Sequence, residues 1–294
     1  MGVTASPATA DRGLGTFHQG GKTGFLLIHG LSGTPVELRY IANGLARAGH
    51  TVSCPQLAGH CGTLEEFRRS TWQDWYASVE AALHQLSQRC EHVLVGGLSM
   101  GAILSLRLAA RHPDIVKGGV LLAPTLWLDG WGVPWYSRFF NLVVQKSVAD
   151  LFWFSERAPY GIKDQRLRAI IADAIHSGDP SKAGFLSIPG GPMLELRWLV
   201  NEVRRDLNSI RQPVLILHPR HDDRASLRNT TYLERHLGGR VEKVVLEDSY
   251  HVITLDRQRE VVLEKTAKFA ESVLARIGAT DNAGRGLMHP VAAA

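Results

Sequence analysis

Cysteine is scarce in this chain. Its 294 residues hold three, Cys54, Cys61 and Cys90, and an odd number at wide spacing excludes a disulfide framework and a cysteine-rich metal site. No uncharged apolar stretch reaches the roughly 18 residues of a membrane-spanning helix, so none is expected. The opening MGVTASPATADRGLG has neither a basic start nor an apolar core and is not read as a secretory signal. Charge of one sign is nowhere concentrated. Lys and Arg number 33 against 28 Asp and Glu, giving a net +5, and no basic run carries interleaved aromatics, so nucleic acid is not an expected partner. Internal repeats are missing too. The expected setting is a reducing cytoplasm, with no stable membrane anchor.

What the chain does have is alternation. Phe25-Leu26-Leu27-Ile28 reads as a buried strand. Thr34-Pro35-Val36-Glu37 then reads as a helix start, with Thr at the N-cap, Pro in the first position and Glu in the third, running to about Ala48. Thr51 to Cys54 is a strand, and Thr71 with Asp74 caps a helix to about Gln88. A strand over 92–96 follows, then a helix from Ser99 to about Arg111 that Pro113 stops. Gly119 to Leu122, Val214 to Leu217 and Val241 to Leu246 are further strands, and Asp256 is read as the cap of a last helix reaching Ile277. This order predicts an α/β fold, a mostly parallel doubly wound sheet covered on both faces.

Residues 127–207 break the rhythm. They lie between two strands, no strand is expected within them, and they are far longer than the usual connection of about 4–6 residues. They read as an aromatic-rich helical cap inserted over the C-terminal edge of the sheet. The α/β core is then 15–126 with 208–277, and residues 1–14 and 278–294 are expected to fray.

Gly97-Leu98-Ser99-Met100-Gly101 follows the apolar run Val93-Leu94-Val95. It is a G-x-S-x-G at a strand-to-helix junction, where a tight turn projects the serine hydroxyl from the sheet. A serine hydroxyl needs a base, usually a histidine held by a carboxylate. His221-Asp222-Asp223 follows one strand, and His251 follows the next, so Ser99, Asp222 and His251 stand in the order Ser, acid, His, each at the C-terminal end of a strand. Asp223 competes with Asp222 for the role of acid. Two backbone N–H groups are needed for an oxyanion. Met100 follows the nucleophile, and Leu31 lies in the loop His29-Gly30-Leu31-Ser32-Gly33 after the first strong strand.

The segments from Phe25 to Pro35, Gly59-His60, Thr71 to Trp75, Gly97 to Gly101, Arg220 to Asp222 and His251 to Asp256 together resemble the bacterial carboxylesterase and monoacylglycerol lipase branch of the α/β-hydrolase fold. The resemblance spans roughly residues 24 to 275. It implies ester hydrolysis without a cofactor, with Ser99 as nucleophile, Asp222 as acid and His251 as base, and a small helical cap at the insertion. Two positions depart from the family pattern: Cys61 and Tyr250 stand where glycine is usual.

Function is therefore expected to be hydrolysis of carboxylic esters, of acylglycerols or other short-to-medium acyl groups, through an acyl-enzyme. The alternatives are an acyltransferase using the same three residues, an oligoester or polyester hydrolase, and a non-catalytic binding module, which would normally have lost one of the three. The partner is a small-molecule ester. Substrate-binding candidates are His29, Trp127, Trp131, Trp135 and Trp153. The cap aromatics are equally well read as the cap's own core, and a transient contact of 133–154 with a lipid surface stays open. No metal is expected, because no two of His29, His60, His218 and His221 share a helix face at zinc-ligand spacing.

Overall fold

A computed structural model describes residues 13–286 apart from Glu156, Ser177 and Leu186. In chain order the elements begin with β1 (Thr16–His18), β2 (Thr23–Ile28), a 3-10 turn (Pro35–Leu38), α1 (Arg39–Arg47) and β3 (Thr51–Cys54). Then come α2 (Leu64–Arg69), α3 (Trp72–Ser87), β4 (His92–Leu98), α4 (Met100–Arg111) and β5 (Val116–Leu122). The insertion carries a 3-10 turn (Trp135–Leu142), α5 (Lys146–Ala149), β6 (Trp153–Ser155), α6 (Gln165–His176), α7 (Pro180–Ala183), β7 (Ser187–Pro189) and α8 (Gly190–Asp206). The chain closes with β8 (Val214–Pro219), α9 (Arg228–His236), β9 (Val241–Leu246) and α10 (Arg259–Gly286).

The main sheet has the order β1-β3-β2-β4-β5-β8-β9 and is parallel except at β1, which runs antiparallel to β3. Strand residues alternate between the two faces. Leu26, Ile28, Val93, Val95, Val214 and Ile216 join the core under α3, α4 and α8. Phe25, Leu27, Leu94, Leu215 and Leu217 join the opposite core under α1 and α10. Both faces are covered at the centre, so Phe25–Ile28, Val93–Val95 and Val214–Leu217 are apolar without alternation, while the edge strand β9 carries exposed Glu242 and Lys243.

The expected α/β sheet is present, with local differences. The cap at Thr71 and Asp74 forms as read, with Thr71 N–H donating to Asp74 Oδ2 at 2.9 Å. The helix expected from Thr34 opens instead with the 3-10 turn before α1. Asp256 does not cap α10, which starts at Arg259. Its carboxylate accepts the N–H groups of Lys163 and Asp164 (2.9 Å each) and Tyr250 (2.7 Å), a long-range task that outcompetes the local one. α10 also runs past Ile277 to Gly286, so part of the tail expected to fray is helical. Residues 1–12 and 287–294 of the expected frayed ends lie outside the described residues. The insertion does hold strands: β6 and β7 pair antiparallel, Trp153 with Pro189 and Ser155 with Ser187. Strands of three residues are too short for periodicity to reveal.

Candidate active site

Between β4 and α4 a single residue makes the turn. Ser99 has φ 56° and ψ −111°, a left-handed conformation that a non-glycine residue holds only where its surroundings impose it. The flanking glycines are what allow it. A Cβ on Gly101 would lie 2.0 Å from the Ile28 carbonyl oxygen, and one on Gly97 would lie 2.5 Å from the same oxygen, so β2 and α4 meet only because both positions lack a side chain. Ser99 Oγ donates to Thr125 Oγ1 at 3.1 Å, and Thr125 Oγ1 donates on to Ala123 O at 3.2 Å. Among the described residues, Ser99 makes no hydrogen bond to His251.

The loop after β8 places two aspartates side by side with different tasks. Asp222 accepts His251 Nδ1–H at 2.8 Å through Oδ2. Its Oδ1 also accepts the N–H groups of Arg224 (2.7 Å) and Ala225 (2.9 Å). Burial pushes the Asp222 carboxyl up, but the opposing pull of His251, His218 and the Ala225 N–H is stronger, so it stays below the usual carboxylate range. Asp223 instead takes backbone: Oδ1 accepts His251 N–H at 3.3 Å and Oδ2 accepts Gly161 N–H at 3.1 Å. Beneath them the fully buried His218 donates Nε2–H to Ala225 O at 2.7 Å, and burial lowers its pKa despite Asp222 close by.

The Leu31 loop is fixed from below. His29 is fully buried; its Nδ1–H donates to Gly30 O at 2.9 Å and its Nε2 accepts Leu57 N–H at 3.3 Å. His60 Nε2–H donates to Leu31 O at 2.7 Å. Burial, helped by His60, lowers His29 to about 3, and burial lowers His60 to about 4 against its two carbonyl contacts. Glu37, read above only as a helix-start residue, accepts Gly30 N–H at 2.5 Å. Leu31 N–H has no acceptor among the described residues. Neither does Met100 N–H, which opens α4 and so has no preceding turn to bond.

Ser99, Thr125, Leu31 and His251 all line a cavity of about 450 Å³, within the usual size range of small-molecule sites. Buried Phe140, Phe185, Ile188 and Leu196 form its apolar depth. Exposed Tyr136, Phe139, Phe152 and Trp153 form its rim. Of the five substrate-binding candidates, Trp153 lines this cavity and four do not. His29 is buried beneath it. Trp127 packs on Tyr232 and donates to Asp129 Oδ2 at 3.0 Å. Trp131 lies on Tyr250 and donates to His221 O at 3.0 Å. Trp135 is 67% exposed and packs on Tyr136 and Phe139. Aromatic density along a sequence carries no direction, and direction decides which rings line a cavity. Phe140, Phe154 and Phe185 were in the sequence with no signal to single them out; Thr125 and Glu37 likewise.

The insertion is bound to these loops. Val252 N–H donates to Gly161 O at 2.8 Å, and Phe185 N–H donates to Ser32 O at 3.3 Å. Of the two departures noted, Cys61 is buried with φ 62°, the conformation for which glycine is the usual residue, and Tyr250 supports Trp131.

A serine on a strained strand-to-helix turn, in a cavity shared with an aspartate-held histidine, defines the class of α/β serine-hydrolase-like proteins. Residues 25–264 match the alpha/beta hydrolase family, and the chain belongs to it. It is 30% identical over 254 residues to the thermostable monoacylglycerol lipase of Bacillus sp. (strain H-257), covering 86% of this chain and 92% of that protein. It is 26% identical over 263 residues to the carboxylesterase of Bacillus subtilis (strain 168), covering 87% and 95%. Among solved structures it is similar to a metagenome-derived lipolytic enzyme, with TM-score 0.75 and 26% identity over 90% of this chain and 98% of that one. No helix among the described residues is long and apolar enough to cross a membrane.

Proposed function

We propose that the chain hydrolyses carboxylic esters at Ser99 through an acyl-enzyme. It is an ester hydrolase of the α/β hydrolase family, as the relatives that it matches over nearly their whole length are named. The observation that carries the residue assignment is the His251 imidazole, held by buried Asp222 through Nδ1 and opening with Ser99 into one apolar cavity. With Nδ1–H committed to Asp222, Nε2 is the basic nitrogen. Ser99 Oγ–H turns from Thr125 to Nε2 and gives up its proton as Oγ bonds to the ester carbonyl carbon. The carbonyl oxygen becomes an oxyanion received by the N–H groups of Leu31 and Met100, each such donor being worth about 10²–10³ in rate. The C–O bond to the alcohol breaks, and His251 returns the proton to that oxygen. Water, deprotonated by His251, then releases the acid and restores Ser99.

The buried apolar depth favours an acyl chain, with an acylglycerol or a short-to-medium acyl ester as substrate. The acyl-transfer alternative gains no support from the relatives. The cap surface that carries Trp135, Phe139, Leu142 and Leu151 is exposed and apolar, which favours transient contact with a lipid surface. Three buried free cysteines suit a reducing cytoplasm. The test is labelling with a fluorophosphonate followed by intact-mass and peptide mapping. One adduct on Ser99 is expected. Labelling elsewhere, or none in the folded protein, removes the assignment.

A further inference from the structure

We propose that Glu80, His84 and His112 form a binding site for a divalent transition-metal ion of the zinc class, where the C-terminal end of α4 meets α3. The site is separate from the cavity above: α4 starts beside Ser99, and its 12 residues put His112 about 18 Å along the helix.

Three observations carry it. First, Glu80 and His84 are four residues apart on α3 and so share one face, and His112 at the end of α4 reaches the same face, its Nε2 at 2.7 Å from Glu80 Oε1. One ligand atom from each of the three lies within 4.8 Å of the others. Bonds of about 2.0–2.1 Å in a tetrahedral site put ligand atoms roughly 3.3 Å apart, so small side-chain rotations close the set. Second, Tyr76 Oη donates to Glu80 Oε1 at 2.8 Å, the kind of outer partner that fixes a ligating carboxylate. Third, His84 is exposed and its ring stands edge-on to that of His112, with centroids 5.0 Å apart. Among the described residues its ring nitrogens make no hydrogen bond. The imidazole is thus directed at the cluster without taking part in the Tyr76–Glu80–His112 contacts.

Two imidazoles and one carboxylate leave a fourth position for water, and imidazole nitrogen selects zinc, copper or nickel over calcium or magnesium, which take oxygen. Arg107 nearby is neutralised by its pairing with Asp206. The ion would tie the far end of the helix that carries Ser99 to its neighbour α3.

The test is titration of the chelator-stripped full chain with zinc sulfate at neutral pH, by calorimetry and by competition with a chromogenic chelator. Binding of one zinc per chain is expected, with magnesium and calcium giving none. His84→Ala should weaken zinc at least about tenfold, and Tyr76→Phe should weaken it about 10-fold as an outer partner. Zinc should raise the Tm of the native chain and not that of His84→Ala, while His84→Ala keeps its ester hydrolysis without zinc. Undiminished zinc binding by His84→Ala, or no saturable binding by the native chain, overturns the proposal and leaves Tyr76, Glu80 and His112 as a hydrogen-bonded clasp alone.

Discussion

The two walls of the cavity are built by different rules. On the sheet side the polar groups are buried and specifically partnered. Asp222, Asp223 and Asp256 between them hold His251, Tyr250, Gly161, Lys163, Asp164, Arg224 and Ala225. On the insertion side Tyr136, Phe139, Phe152 and Trp153 line the cavity and are 45–57% exposed. The first wall holds its groups by specific hydrogen bonds. The second offers apolar area with little positional demand. The walls meet where Gly161 bonds both Asp223 and Val252, where Lys163 and Asp164 bond Asp256 and where Phe185 bonds Ser32, so the insertion is anchored at several places to the loops around Ser99 and His251 and open at the rim.

The sharpest way to break this contrast is at the two aspartates. Asp222→Asn removes the carboxylate that fixes the His251 tautomer, an effect of about 10⁴ on kcat in analogous sites. Asp223 holds backbone N–H groups, so Asp223→Asn should lose roughly 1–3 kcal/mol of stability and far less activity. Steady-state kinetics and thermal unfolding of both variants decide it. Equal losses of activity would move the acid to Asp223 and erase the division of labour between neighbouring residues.

A second test addresses the sheet-side wall as a whole. His29 and His60 are held neutral, at about 3 and about 4, against an ordinary 6.5. Between pH 6.5 and about 4 the unfolded chain therefore binds more protons than the native one, so stability falls as pH drops through that window. Asp222 works in the same direction lower down, since a depressed carboxyl stabilises above its unfolded value and ceases to below its folded one. A Tm that declines steeply below pH 6.5, with a shallower decline in His60→Asn, is the expected result. A flat profile to pH 4 would mean that the histidines beneath the Leu31 loop are not held neutral.

The sheet was legible because its buried central strands are apolar without interruption, and the turn at Ser99 because close approach admits only glycine at 97 and 101. The placing of Ser99, Asp222 and His251 at the ends of strands was legible through strand order, and of their contacts the one between Asp222 and His251 is present. What stayed hidden depended on partners distant in sequence. Asp256 looked like a helix cap and instead gathers the 163–164 backbone. Glu37 looked like a helix-start residue and holds Gly30. β6 and β7 are each three residues long and have meaning only as a pair. The four misplaced substrate candidates share one cause: a tryptophan in a cap segment can face the cavity, solvent or the sheet loops, and spacing alone does not choose.

Trp153 gives the finest probe of the insertion wall. It is the one substrate candidate that lines the cavity, yet it is 51% exposed, so a bound chain has area left to cover. Each CH₂ buried contributes about 0.8 kcal/mol, close to fourfold in kcat/KM. Specificity for p-nitrophenyl esters should thus climb with acyl length until the cavity is full. Trp153→Ala should make that climb shallower while acetate turnover stays near native. Trp135→Ala, whose ring lies outside the lining and packs on the rim residues Tyr136 and Phe139, should depart less from the native profile than Trp153→Ala does. Parallel profiles for both variants would move chain-length selection to the buried depth around Phe140 and Phe185 and leave the rim without a part in it.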